Sequence, residues 1–291
     1  MNLPPMGPEI IALIASFSYA LFTLYGWFGL RYSTALVATI VSLASRTIIL
    51  WIAVFLLGGI PEFAQSSLSL FVFLGLMQSV TSLLTFVGLH KIGTARSQPL
   101  RNAYPLFSAL IAVAIMQEQA GALILLGTIL VVGGVILISW KPDVPPPGYR
   151  WWHILYSLSA GALAGVAFPL RRYGLSITNE PVFFAAVVAV VSLLGALPAL
   201  SVSREKTAVW NKKGIVYFIV SGFFEAVGAL LALVALSTGR VVVVSPIVAT
   251  TPLWNLLIAV IFFKDREEVN ARTVAGTIAV FSGTIAIALG R

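Results

Sequence analysis

The sequence predicts an all-α integral membrane protein, ten transmembrane helices arranged as two inverted five-helix repeats. Three observations predict it. Hydrophobic residues make up 59% of the 291 residues and charged residues only 10%, with a mean hydropathy of +1.00. So few charges cannot clothe a soluble protein of this size, so lipid must solvate most of the chain. Apolar stretches of 18 or more residues recur along its whole length, each enough to cross a hydrocarbon core of about 30 Å. Finally, the second half repeats the first. A shift of 147 places VSPIVATTPLWNLLIAVIFFKDR, from Val244, on SQPLRNAYPLFSALIAVAIMQEQ, from Ser97. Pro246 then falls on Pro99, Pro252 on Pro105, and Asp265 on Glu118.

In chain order, the spans are expected at 9–29, 36–58, 68–88, 95–116 and 121–139, then 152–170, 181–200, 214–236, 240–263 and 272–289. Span 1 follows the leader MNLPPMGPE, which has no Lys or Arg, and its apolar run is long for a cleavable signal. Span 2 carries Arg46 with Ser42 one turn before it. Span 3, FVFLGLMQSVTSLL, aligns with span 8, FIVSGFFEAVGALL, setting Glu225 opposite Gln78. Spans 4 and 9 hold the proline pairs Pro99/Pro105 and Pro246/Pro252. Proline removes a backbone donor, so these four mark helix breaks. Spans 5 and 10 share G-T-I-x-V-x-x-G from Gly127 and Gly276, two residues beyond the common register. Their glycines Gly127, Gly134, Gly276 and Gly283 suit close helix packing at the periphery, or dimerisation. The stiff segment 141–150, KPDVPPPGYR, joins a first repeat at 1–140 to a second at 151–291. Five spans per half reverse the second repeat in the membrane.

These residues together resemble the EamA-type transporters of the drug/metabolite transporter superfamily. The resemblance rests on PLFSALIAVAIMQE and PLWNLLIAVIFFKD, the arginine in span 2 and the closing G-T-I-x-V-x-x-G helices, and covers nearly the whole chain. It implies a secondary carrier that moves a small metabolite by alternating access, often as an exporter in the bacterial inner membrane. Matched pairs of proline-interrupted segments also mark transporters whose substrate lies where two repeats meet. One feature departs from the family pattern of cytoplasmic termini. The loops after odd-numbered spans hold 12 of the 18 Lys and Arg residues, whereas the even loops and tails hold Arg171, Arg172, Arg240 and Arg291. By the positive-inside rule the termini face outward.

Glu225 is the leading candidate for transport. It lies about 11 residues, or roughly 16 Å, from either end of its span, too deep to reach water. A charge there costs about 2.5–3.5 kcal/mol, so it needs a partner or a wet cavity. Proton exchange, a substrate amine and a hydrogen bond across helices are its three readings. Arg46 is similarly deep, permanently charged, and able to pair with Glu225 if their helices touch. Arg101, with Tyr104 and Pro105 on one face of span 4, suits an anionic group, though it is shallow enough to snorkel outward. Polar stripes on spans 1 (Ser16, Tyr19, Thr23, Trp27), 2 (Thr39, Ser42), 3 (Gln78, Thr81, Ser82, Thr85) and 9 (Thr251, Asn255) are expected to line the same space. Individually each stripe would serve as helix glue.

Other functional classes fare poorly. The two histidines lie near span ends and the two aspartates in loops, and no hydrolase, phosphate-loop or metal motif assembles. No enzyme activity, cofactor or metal is expected. Basic residues are scattered through short loops, which argues against nucleic acid, and no ring of repeated charges suggests a channel. The expected partners are the lipid bilayer, a small-molecule substrate and protons as coupling ion. Two deep guanidiniums against one carboxyl favour an anionic or zwitterionic metabolite such as an amino acid. A multidrug exporter of lipophilic cations is the alternative, built on Glu225 and the aromatic residues. If the charge bias governs insertion, a reporter fused after Arg291 will be active only in its extracytoplasmic form. Activity of a strictly cytoplasmic reporter at that position would contradict this.

Overall fold

The computed structural model describes residues 7–92, 94–139, 149–201, 209–262 and 271–290. Secondary structure among them is helical. The elements are α1 (Pro8–Leu30), α2 (Ala35–Leu56), α3 (Gln65–Ile92), α4 (Thr94–Asn102), α5 (Tyr104–Ala114) and α6 (Ala122–Ser139). A 3-10 turn, Trp151–His153, then leads into α7 (Ile154–Ile177), α8 (Pro181–Ser201), α9 (Lys212–Thr238), α10 (Val241–Val248), α11 (Thr251–Phe262) and α12 (Ala271–Leu289). Nine stretches among the described residues are long and apolar enough to cross a membrane. The expected fourth span is not among them. Its first part, α4, reads TARSQPLRN and carries two arginines.

Spans 4 and 9 are each two helices. The first breaks at Ala103 (φ −75°, ψ 0°), the second at Ala249 (φ −68°, ψ −8°) and Thr250. The shift of 147 carries Asn102 onto Ala249, so the breaks fall at equivalent places in the two halves. Proline explains the pattern. Pro105 and Pro252 lie in the first turn of α5 and α11, where the missing N–H would have no intrahelical partner. Pro99 and Pro246 lie inside α4 and α10. Backbone freed by a break must be satisfied inside the protein, and a helix of the opposite half covers each one. A Cβ on Gly161 of α7 would meet the carbonyl oxygens of Leu100 and Arg101 at 3.0 Å, so a side chain there would press on the backbone of the break and glycine suits this close approach. At the other break, Ser16 of α1 shares a 2.8 Å hydrogen bond with Thr250.

The halves interlock. The most extensive packing joins α1 to α9, α3 to α7, and α6 to α12. In span numbers these are 1 with 8, 6 with 3, and 5 with 10, the pairings that a twofold relation between the repeats produces. The two ends of the bundle sort as the inverted topology requires. Ser33, after span 1, donates to the carbonyl of Val209, before span 8, at 2.6 Å. At the other end the Ala64 N–H donates to Thr178 Oγ1 at 3.1 Å, and Arg240 donates to the Gln119 carbonyl at 2.8 Å. Arg171 and Arg172, expected in an even loop, instead lie within α7, which runs past residue 170 to Ile177.

Glycine spacing in spans 5 and 10 is consumed within the chain. Cβ atoms on Gly127 and Gly134 would lie 2.6 Å from the carbonyl oxygens of Gly283 and Gly276 respectively, and the reciprocal distances are 2.6 Å and 2.8 Å. The four glycines therefore seat α6 on α12 and carry no separate signal for dimerisation. Gly133, next door, has nothing within 4 Å of its would-be Cβ. Gly134→Ala is therefore expected to cost roughly 1–3 kcal/mol through overpacking, read as a lower unfolding temperature in detergent, whereas Gly133→Ala should not destabilise. Equal tolerance of both substitutions would contradict this packing.

Candidate functional site

Four long helices bring polar side chains to mid-membrane. Tyr19, Arg46, Gln78 and Glu225 lie near the middle of α1, α2, α3 and α9, helices of 23, 22, 28 and 27 residues. At 1.5 Å per residue each sits some 15 Å or more from either helix end. The breaks bring two more. Arg101 lies in the last turn of α4 and Tyr104 begins α5, on either side of the break at Ala103. The last member is Arg171, six residues, or about 9 Å, inside the end of α7.

One ion pair anchors the cluster. Arg46 Nη1 donates to Glu225 Oε1 at 2.9 Å, with the two side chains 7% and 15% exposed. The pair joins α2 of the first half to α9 of the second. A second contact between the halves is weaker and uncharged on one side. Arg171 Nη2, from the second half, donates to Gln78 Oε1, from the first, at 3.4 Å. Since 78 and 225 are equivalent positions, each half offers a side chain to an arginine of the other. One half offers a carboxylate and the other an amide.

The amide leaves a charge uncompensated. Among the described residues neither Arg101 nor Arg171 forms an ion pair, and Arg171 has the neutral Gln78 amide where Arg46 has a carboxylate. Tyr19 packs against Gly228 of α9, about one turn from Glu225, where a Cβ would meet the Tyr19 ring at 3.1 Å. The Nε atoms of Arg46, Arg101 and Arg171 are each buried without a hydrogen-bond partner. Aromatic residues wall this region: Tyr104 stacks on Phe168 with ring centroids 5.3 Å apart, and the Arg171 guanidinium lies 5.8 Å from the Phe168 ring centroid. Tyr19, Gln78, Arg101, Tyr104, Arg171 and Glu225 all keep part of their surface accessible. Phe168 beside them is buried.

The remaining sequence candidates have other occupations. Trp27 is 42% exposed and its ring carries the Arg31 guanidinium 3.9 Å from the centroid, a contact at the helix end. Ser42 donates across to the Phe218 carbonyl at 3.3 Å. Thr251 donates to the Ser16 carbonyl at 3.3 Å, and Thr23 donates to Asn255 Oδ1 at 2.7 Å. Thr81 and Thr85 bond carbonyls of their own helix. These stripes act as helix contacts, each bond contributing about 0.6 kcal/mol. Arg172 differs from its neighbour Arg171. It donates to the carbonyls of Leu236 and Ser237 at 2.9 Å and 2.6 Å, where the C-terminal dipole of α9 favours a cation.

The EamA-like transporter family model matches residues 6–140 and again 151–289. The chain belongs to the EamA-like transporter family. It is accordingly a multi-pass integral membrane protein of a transporter family, with the family unit present twice. None of the curated proteins matches it significantly. A solved crystal structure of a protein shares its fold with a TM-score of 0.80, over 97% of this chain and 96% of its own, at 13% identity.

Breaking the central pair should show how it is held. Glu225→Ala strands Arg46 in a low-dielectric site, a loss expected to cost about 3–5 kcal/mol. Glu225→Gln retains an acceptor, as Gln78 does for Arg171, and should cost markedly less. Thermal unfolding of both variants in detergent checks this, and equal destabilisation would contradict it.

Proposed function

We propose that this EamA-family member is a secondary active transporter that moves a small anionic or zwitterionic metabolite by alternating access. The reading rests on one observation above all: among the described residues neither Arg101 nor Arg171, each with a buried Nε that has no hydrogen-bond partner, forms an ion pair. Guanidinium groups remain protonated at any accessible pH, and a charge inside a membrane needs a counter-charge. A substrate carboxylate meets that need and can accept two parallel N–H bonds from one guanidinium. The position supports the same reading, since the site lies between the two repeats and beside a broken helix.

The cation-exporter alternative requires a carboxylate open to a cationic substrate, and the Glu225 carboxylate is already bonded to Arg46. We assign Glu225 a coupling role. It is the acid of the central cluster, and protonating it would release Arg46 from its partner. The cycle we propose therefore couples outward movement of substrate, across the inner membrane of a prokaryote, to proton exchange at Glu225.

Two variants test the proposal in proteoliposomes. Glu225→Gln should insert normally, lose accumulation driven by a pH gradient, and retain counterflow, which needs no net proton movement. Driven uptake equal to the parent would remove Glu225 from coupling. Arg101→Lys keeps the charge but loses the planar fork, so apparent affinity for anionic and zwitterionic substrates should fall by about tenfold, the equivalent of one good hydrogen bond. Unchanged affinity in Arg101→Ala would contradict a substrate-binding role.

A further inference from the structure

The central charges define how many negative groups the substrate brings and how they are spaced. Three guanidiniums, Arg46, Arg101 and Arg171, face one carboxylate, and that carboxylate is committed to Arg46 at 2.9 Å. The asymmetry between equivalent positions has a definite consequence. Had the first half carried a glutamate at 78 as the second does at 225, Arg171 would be neutralised as Arg46 is. With Gln78 there, the Arg171 bond to the amide is long, 3.4 Å, and brings no charge. Two positive charges remain.

Those two charges are spread. The Arg101 backbone lies against Gly161 of α7, where a Cβ would meet the Arg101 Cα at 3.3 Å, and Arg171 stands ten residues, about 15 Å, further along the same helix. The two cations are thus anchored at separate places, with Phe168, which stacks on Tyr104, between them along α7. Each also presents a buried Nε with no hydrogen-bond partner, a donor that an oxygen ligand would satisfy. A ligand with all its charge on one centre would reach one arginine and leave the other unpaired. A short chain with a carboxylate at each end would reach both, with its methylene groups against the Tyr104–Phe168 stack.

On this basis, and resting on the anion-carrier reading above, we propose that the site takes a small dicarboxylate, one carboxylate on Arg101 and the other on Arg171. Arg46 and Glu225 then form a neutral floor, and position 78 sets the charge that the substrate must carry.

Ligand-induced thermal stabilisation of the purified full chain measures this, since a ligand stabilises the state it binds. The probes are succinate, glutarate, butyrate and inorganic phosphate, with a lipophilic quaternary ammonium cation for contrast. Succinate or glutarate should reach half-maximal stabilisation at a concentration at least tenfold below that of butyrate, with phosphate no better than butyrate. Gln78→Glu should raise the dicarboxylate concentration required at least tenfold and leave butyrate unchanged, because it supplies Arg171 with an internal carboxylate. Arg171→Gln, which removes the second charge instead, should produce the same selective loss and serves if Gln78→Glu does not fold. Butyrate binding as well as the dicarboxylates, or phosphate binding better, would overturn the dicarboxylate assignment while leaving an anion carrier in place. Stabilisation by the quaternary cation alone, or by none of the probes, would overturn the anion-carrier reading along with it.

Discussion

A guanidinium in hydrocarbon must be answered by something, and in this protein the answer comes from the other half of the chain. Arg46 of α2 meets Glu225 of α9 at 2.9 Å, between repeats whose members are far apart in sequence. That requirement constrains everything around it. For α2 and α9 to meet, the halves cannot stand side by side as independent bundles, and they do not: span 1 packs on span 8 and span 6 on span 3. The same arrangement brings Arg171 to Gln78. Two cross-repeat contacts are therefore built on the equivalent positions 78 and 225, from arginines on non-equivalent spans, and the choice of carboxylate or amide makes them electrostatically unequal.

The broken helices extend the same logic to the backbone. A peptide group without a partner is costly in lipid, so a broken span is tolerable only where another element covers it. Gly161 and Ser16 do this on opposite sides of the pseudo-twofold, one by letting a carbonyl-bearing surface approach and the other by a hydroxyl bond to Thr250. In the first half the break also lies between Arg101, in the last turn of α4, and Tyr104, which starts α5. The deformation that the prolines impose thus helps to place polar groups at the centre. In the second half the break at Ala249 is lined by Thr250 and Thr251, which are spent on α1. On the proposed function, the substrate-facing chemistry is concentrated on one side of a nearly symmetric scaffold.

Much of this was legible in the sequence, and the exceptions have physical reasons. Duplication at a fixed shift located both broken spans, and the mid-span depth of Arg46 and Glu225 marked them as partners in search of contact. Arg171 was missed because a hydropathy profile ends a span at the first pair of charges, and Arg171-Arg172 reads as the start of a loop. Helical periodicity continues through them to Ile177. The polar stripes on spans 1, 2 and 9 follow from helical spacing, but a face does not reveal what it faces. Ser42, Thr251 and Asn255 bond to neighbouring helices, while Tyr19, on the same stripe as Ser16 and Thr23, packs on α9 about one turn from Glu225. The glycines of spans 5 and 10 announced close packing, yet their partner, each other, became clear only from the three-dimensional pairing.

The central claim is that a positively charged, water-accessible centre between the repeats opens to each side of the membrane in turn. The chain has no cysteine, so a single introduced thiol reports without background. Tyr104→Cys places one at the broken helix beside Arg101. In oriented vesicles, a membrane-impermeant anionic thiosulfonate should modify it from either side, faster than the cationic analogue of the same size. Reaction from one side only, or faster reaction with the cationic reagent, would contradict the account.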